Sequence, residues 1–276
     1  MYSLYLNNPI SINPAYTGLN DNFNAVLGFR KQWSGIDGSP TTINFTAHSS
    51  IAQNRMGAGI IIVNDQVGEI TTTQATATYS YKVKLSEDRV LSFGMQGGIL
   101  NYKTKELNLQ DPSDETFALI SQVKPMIGAG VMLKSEKYLV GLSVPRLLNS
   151  SFTASGSTYT AYKQHMYLFG SYIIPLSERI LFKPSTLLKY TGGAPVSVDL
   201  NANINIDRNY TVGIYTRNFN AYGLLAQVNF LEYLRLSYAF EIPTNKSIGT
   251  QYNTNEVNLG LKLSVFQYHN RSITNF

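Results

Sequence analysis

Apolar residues alternate with small or polar ones at a period of two along most of this chain, from Phe23 to Phe266. The cleanest stretch is Val196-Ser197-Val198-Asp199-Leu200-Asn201-Ala202-Asn203-Ile204-Asn205-Ile206: even positions are apolar, odd positions are Ser, Asp or Asn. Successive side chains of a β-strand point to opposite faces, so this stretch has one apolar and one hydrophilic face. It is about ten residues long, the length a tilted strand needs to cross a bilayer. Repeated along a whole chain, the pattern predicts an all-β fold, an outer-membrane β-barrel with lipid outside and a polar lumen.

Alternation and turn residues place strands near 22–33, 41–51, 56–64, 70–85, 89–101, 124–134, 138–145, 164–175, 179–190, 195–206, 209–217, 220–230, 233–241 and 255–266. The total is about fourteen antiparallel strands, an even number, as bacterial single-chain barrels have. Short turns at Gln53-Asn54-Arg55, Ser86-Glu87-Asp88, Glu136-Lys137, Ser177-Glu178, Asp207-Arg208-Asn209 and Glu232-Tyr233 contrast with longer links at 103–122, 146–162 and 242–254. Barrels keep short turns in the periplasm and long loops outside the cell. Register follows from cost, because an Arg or Lys on the lipid face near the midplane costs about 2–4 kcal/mol. Leu234, Leu236, Tyr238 and Phe240 alternate with Arg235 and Glu241, and Val257 to Val265 alternate with Glu256 and Lys262. A slip of one residue would turn those charges into lipid. Two segments are apolar on both faces, 56–64 with Ile60-Ile61-Ile62-Val63 and 164–175, which points to contact with a partner or an internal plug.

Charged residues make up 14% of the chain, against roughly 25% in soluble domains. A soluble sandwich or propeller would have shorter strands and more charge on its outer faces. Aromatic residues reach 12%, with 19 Tyr, which suits the girdles at the two membrane interfaces. No apolar run is long enough for a transmembrane helix. With no cysteine, disulfides and thiolate chemistry are excluded. The net charge of +5 is scattered, so no nucleic-acid partner is expected. No export signal is visible, and the barrel reading requires one that has been removed. The chain divides into an N-terminal plug or rim segment 1–20, which is rich in Asn and Pro and does not alternate, a barrel 21–266 and a C-terminal periplasmic tail 267–276.

Chemistry is sparse. The three histidines, His48, His165 and His269, have no metal-ligand spacing, and no nucleophile elbow or phosphate loop is present. No catalytic residue, metal or cofactor is expected. His48 belongs in the lumen, in a packing or hydrogen-bonding role. Inward charges Arg30, Lys183, Lys189, Asp199, Arg235, Glu241, Glu256 and Lys262 form a lumenal polar network, read as mutual salt bridges or as a surface for something inserted in the lumen. Glycines Gly28, Gly94, Gly98, Gly128, Gly130, Gly141 and Gly260 leave space there. In the long loops Phe152, Tyr159 and Tyr162 offer anchors for a partner, or belong to the interfacial girdle.

The opening Asn8-Pro9-Ile10-Ser11-Ile12-Asn13-Pro14-Ala15-Tyr16-Thr17-Gly18, with Asn8, Pro9, Asn13, Pro14, Tyr16 and Gly18 as its signature, resembles that of the PorP/SprF family. So do Phe29-Arg30-Lys31-Gln32-Trp33, Gly35 to Thr41, Tyr138 to Leu148, Lys183-Pro184-Ser185 and Ala194-Pro195. Asn255-Glu256 departs from the family's usual His-Glu. The resemblance implies a non-enzymatic component of the type IX secretion and gliding systems in the outer membrane of Bacteroidota. It implies as partners an exported adhesin or other cargo, recognised by its C-terminal domain, and the periplasmic lipoprotein-containing ring, beside outer-membrane lipid. A barrel this small is too narrow for a folded adhesin, which favours docking or anchoring over translocation. The alternative is a transport barrel for a small apolar or sugar-like solute.

Overall fold

The computed structural model describes residues 2–104, 121–154, 157–244 and 249–264; for Ser150 and for residues 152–154 and 157–162 it describes the backbone alone. The alternating segments form strands β1 (Phe23–Lys31), β2 (Thr41–Ile51), β3 (Met56–Val67), β4 (Ile70–Lys84), β5 (Val90–Thr104), β6 (Ser121–Lys134) and β7 (Tyr138–Arg146). They continue as β8 (Ser150–Ala154), β9 (Ser157–Tyr162), β10 (His165–Tyr172), β11 (Ile174–Pro175), β12 (Ile180–Thr191) and β13 (Ser197–Ile206). The last are β14 (Tyr210–Arg217), β15 (Ala221–Phe230), β16 (Leu234–Pro243) and β17 (Thr254–Leu263). Every wall strand pairs antiparallel with its neighbours, and β1 pairs with β17 from Phe23↔Leu263 to Lys31↔Asn255, which closes a cylinder of 14 strands. The two-residue β11 only prolongs β10 along β12. Strands β8 and β9 form a separate hairpin within the segment expected as a plain loop.

Exposure is inverted relative to a water-soluble protein. In β13 Leu200, Ile204 and Ile206 face outward while Asp199, Asn201, Asn203 and Asn205 are buried. Ile214 is 61% exposed and Asn205 0%. The outward residues are the expected ones: Leu27 and Phe29 on β1, Tyr79 and Tyr81 on β4, Leu236 and Tyr238 on β16, Val257 and Leu259 on β17. Hydrocarbon solvates this belt, and the ladder bonds of a closed sheet satisfy the backbone. Strand β1 stops earlier than expected, because Trp33 turns to φ +54 and its amide donates to Thr254 Oγ1 at 3.3 Å.

One end of the barrel carries only short turns. At Asp207-Arg208 both φ values are positive (52° and 63°) and Asn209 N donates to Ile206 O at 3.1 Å, a tight turn matched to the strand twist. The opposite end carries the long links, but the alternation in length is not strict. There Gly68 and Glu69 alone join β3 to β4, and residues 218–220 join β14 to β15 through a second such turn. Residues 105–120, 245–248 and 265–276 lie outside the described residues, and with them most of the 103–122 loop, part of 242–254 and the 267–276 tail.

Candidate functional site

Residues 2–21 run through the bore as three short 3-10 turns, Tyr5–Asn7, Pro9–Ser11 and Pro14–Tyr16. Proline opens the second and third turns, where its fixed φ suits the geometry and its missing N–H costs nothing. Asn13 caps the third: its Oδ1 accepts from Ala15 N at 2.9 Å. Its Nδ2 donates to Val131 O at 3.1 Å and Leu142 O at 3.3 Å, binding the segment to β6 and β7. Down the bore, Asn8 Oδ1 accepts from Thr46, Ile12 O from Ser143, Ala15 O from Ser92 and Thr17 O from Ser80. Gly18 sits at φ +56 and its N–H donates to His48 Nδ1 at 3.0 Å, with the Tyr16 ring edge-on to His48 at 5.7 Å. His48 therefore has a hydrogen-bonding role in the lumen, with its proton on Nε2.

The wall is recessed where the segment passes. A Cβ at Gly94 would lie 2.1 Å from Ala15 N, one at Gly57 2.1 Å from Thr17 O, and one at Gly130 2.1 Å from Asn13 Oδ1. The segment's apolar side chains Tyr5, Ile10, Ile12, Tyr16 and Leu19 form the main core with Ile61, Met132, Leu139, Phe169 and Leu187. Ile61 with Val63 and Phe169 with Tyr167 are the inward apolar residues of the two segments that are apolar on both faces. Their second apolar face packs on the chain's own N-terminal segment.

The inward charges divide into two groups. Toward the long-loop end, Glu256 (1% exposed) accepts from Ser3 N at 2.7 Å, Leu4 N at 3.1 Å and Arg30 Nη1 at 2.8 Å. Glu241 meets Arg30 at 3.5 Å and Arg217 at 3.3 Å, and Arg217 pairs with Asp199 at 3.1 Å. Arg30, Asp199, Glu241 and Glu256 are thus brought together with Arg217. Three carboxylates face two guanidiniums, the amides of Ser3 and Leu4 donate to Glu256, and the Ser3 hydroxyl donates to Glu241 at 3.2 Å. Beside this network Tyr5 OH accepts from Asn201 Nδ2 at 2.7 Å, and burial pushes its phenol well above the usual range.

Toward the short-turn end stand Lys183 on β12, Arg235 on β16 and Lys262 on β17, with Arg235 Nη2 donating to Asn7 O at 2.7 Å. They line a cavity of about 440 Å³ between the N-terminal segment and the turns at Arg208-Asn209 and Glu232-Tyr233. Lys189 joins neither group by a direct ion pair in the described residues and is half-buried near Asp199 and Arg217. Three further bore residues lay outside the expected network. Arg217 follows the inward phase of Thr211, Gly213 and Tyr215, Lys134 that of Gly128 and Gly130, and Lys82 that of Ser80. The alternation of β4 itself places Lys82 inward with Gln74 and Ser80, and extending the phase to the last residue of β6 and β14 places Lys134 and Arg217. Lys82 contacts Gly18 O and Asn54 Oδ1; Lys134 donates to Asn20 Oδ1 at 2.9 Å. The side chains of Phe152, Tyr159 and Tyr162 lie outside the described residues, although the backbone pairs Phe152 with Tyr159 in the β8–β9 hairpin.

Among the described residues no group of His, Cys, Asp or Glu could hold a metal ion. A closed wall with an apolar exterior and a bore filled by its own leading segment defines an outer-membrane β-barrel protein. Among solved structures the chain is similar to the CymD monoaromatic hydrocarbon channel, with 10% identity, a TM-score of 0.59, and coverage of 95% of this chain and 94% of that one. It is also similar to Omp33 of Acinetobacter baumannii, at 9% identity, a TM-score of 0.47, and 90% and 99% coverage. At such identities the likeness to CymD shows the fold alone. A comparison with curated proteins gives no match. The model of the family described as "Type IX secretion system membrane protein PorP/SprF" matches residues 1–262, nearly the whole chain. The protein belongs to that family: it is an outer-membrane component of a secretion machine that works with cargo and other components.

Proposed function

We propose that this protein is a non-enzymatic docking or anchoring component that holds the C-terminal domain of an exported surface protein, such as an adhesin, at the cell surface. Residues 1–20 act as its plug, 21–266 as its barrel and 267–276 as a periplasmic tail. One observation carries the reading. The space a translocation pore would need is taken up by a packed segment held at Glu256, Asn13 and His48. A fourteen-stranded wall is also narrow, since bore width grows with strand number. The β8–β9 hairpin at the long-loop end, with Phe152, Tyr159 and Tyr162, offers the cargo a surface outside the cell. The periplasmic ring of the machine meets the opposite, short-turn end.

Affinity isolation from native membranes tests the proposal. The intact protein brings down a large exported protein with its C-terminal domain, and a variant lacking residues 150–162 does not. Planar-bilayer recordings are expected to show no steady conductance. An open, porin-like conductance without cargo capture would return the protein to solute transport.

A further inference from the structure

The lipid-facing side of the wall is hollowed at one place. Over β13–β16 two contiguous cavities of about 710 and 610 Å³ share Ala202, Ile214, Leu224 and Phe240. They form one groove, and its origin is in the sequence. The outward phase of β13 and β15, which otherwise carries Val, Leu, Ile or an aromatic ring, drops to a methyl group at Ala202 and Ala226. The larger side chains of Phe182, Tyr238 and Phe240 stand around these small ones. Gly213 and Gly223 add bare backbone to the lining. From inside the bore, Leu4 packs with Tyr215, Leu225 and Ala239 on the same strands, so the wall behind the groove is close-packed and the hollow stays on the outer side.

We infer that this groove is a binding site for one acyl chain of an outer-leaflet lipid. Its lining holds no charged side chain among the described residues, so it suits hydrocarbon and not a headgroup. Its place in the outward belt makes hydrocarbon the surrounding solvent. Along β16 the lining runs from Tyr238 to Thr244, six steps of about 3.3 Å, or roughly 20 Å. At a strand tilt of about 40° this is roughly 15 Å of depth, one leaflet's half of a core of about 30 Å. The upper end, at Tyr222, Ile242 and Thr244, adjoins the β14–β15 turn and the 242–254 link, both at the long-loop end. Long loops lie outside the cell, which makes the leaflet the outer one. A second copy of the barrel does not fit, because a convex wall cannot enter a narrow groove, whereas a flexible chain conforms to it. An empty groove forfeits dispersion contacts along its lining; a chain within it gains them on several sides, where the smooth wall offers one.

The test reconstitutes the full chain in phosphatidylcholine vesicles containing a phosphatidylcholine with a photoreactive diazirine on one acyl chain, and maps the labelled residues by mass spectrometry. Groove residues should carry about ten-fold more label than outward residues of β3–β5 such as Ile60, Ala77 and Met95, the effect of about two further buried methylenes. A diazirine near the ester should mark Tyr222 and Ile242, and one at the chain end Ala226 and Tyr238. The reverse order overturns the outer-leaflet assignment. Ala202→Phe combined with Ala226→Phe fills the groove and should bring its labelling down to that of β3–β5, whereas Ala75→Phe combined with Ala77→Phe on β4 leaves it unchanged. Should the filled variant not insert, the distribution of label on the unmodified protein decides alone. Even labelling around the belt means bulk lipid only and overturns the site, as does groove labelling that survives the filling. Cross-links between two copies through β13–β16, in place of lipid label, would make the groove an interface between copies and overturn it as well. Cargo capture is a separate readout, and its failure leaves this site standing.

Discussion

The two halves of the bore solve opposite electrostatic problems. Near the long loops, Arg30 and Arg217 are matched against Asp199, Glu241 and Glu256 at 2.8–3.5 Å, and the amides of Ser3 and Leu4 complete the set. Near the short turns, cations line an open cavity whose lining holds, among the described residues, one exposed carboxylate. The first half is a lock, since buried charges with good partners resist separation. In the second half the cations stand around a cavity, and Arg235 is tied to the segment by its bond to Asn7 O. The difference is set by where the N-terminal segment runs: it fills the upper bore and from Ala15 to Asp21 lies against the β2–β6 side of the wall, leaving the β12–β17 side of the lower bore open.

The largest effect expected from breaking this contrast is at Glu256. Removing one partner from a buried charge network costs about 3–5 kcal/mol. Glu256→Ala should therefore release residues 2–8, read as reagent access to a cysteine placed at Ser3, and lower the melting temperature in detergent. Continued protection of that cysteine would show that Glu256 does not hold the segment. Next is Gly94→Val, whose side chain must occupy the position of the Ala15 backbone. It should unseat the middle of the segment and produce ionic conductance. Gly97→Ala on the same strand, where a Cβ meets nothing within 4 Å, should not. Silent recordings from the valine variant would mean that the segment is not what closes the bore. A smaller loss, about 1–2 kcal/mol for the cap and its two wall bonds, is expected for Asn13→Ala. It should appear as faster amide exchange over residues 14–20 with the wall ladder unchanged.

The smallest effect lies at the rim of the open half. Arg179 binds Asp207 with its Nε and Nη2 at 2.6 and 2.7 Å, and that hydrogen bonding holds the Asp207 carboxyl below its ordinary range. A carboxyl lowered in the folded state contributes stability at neutral pH that is lost as pH falls through the acid range. Both groups are solvated, so Asp207→Asn should leave the melting temperature unchanged at pH 7 and at pH 4. A measurable drop confined to pH 7 would show that this turn matters more than its exposure implies.

The wall was legible because two solvents impose one rule on every strand. A single period fixes both faces, and charges such as Glu256 and Lys262 fix the register. Most of the charged bore residues were legible for the same reason, whereas Arg217 and Lys134, at the ends of their strands, were not. Their division into two groups was not, because it depends on the path of residues 2–21, and 3-10 turns have no periodicity in sequence. The glycines announced space but not its occupant; Gly57 drew no notice, because its role exists only against Thr17 O. The second apolar face of 56–64 and 164–175 was the clearest sign that something packs inside, and Ile61 and Phe169 are where it packs. The hairpin at 150–162 was hidden because its short strands lie in a segment read as a link.

Arg30 and Glu256 stand directly opposite each other where the first strand meets the last. Because Glu256 grips both Arg30 across the join and the amides of Ser3 and Leu4, the stitch that completes the cylinder is also the one that ties its contents in place. One carboxylate thus serves the closure of the wall and the seating of the segment inside it.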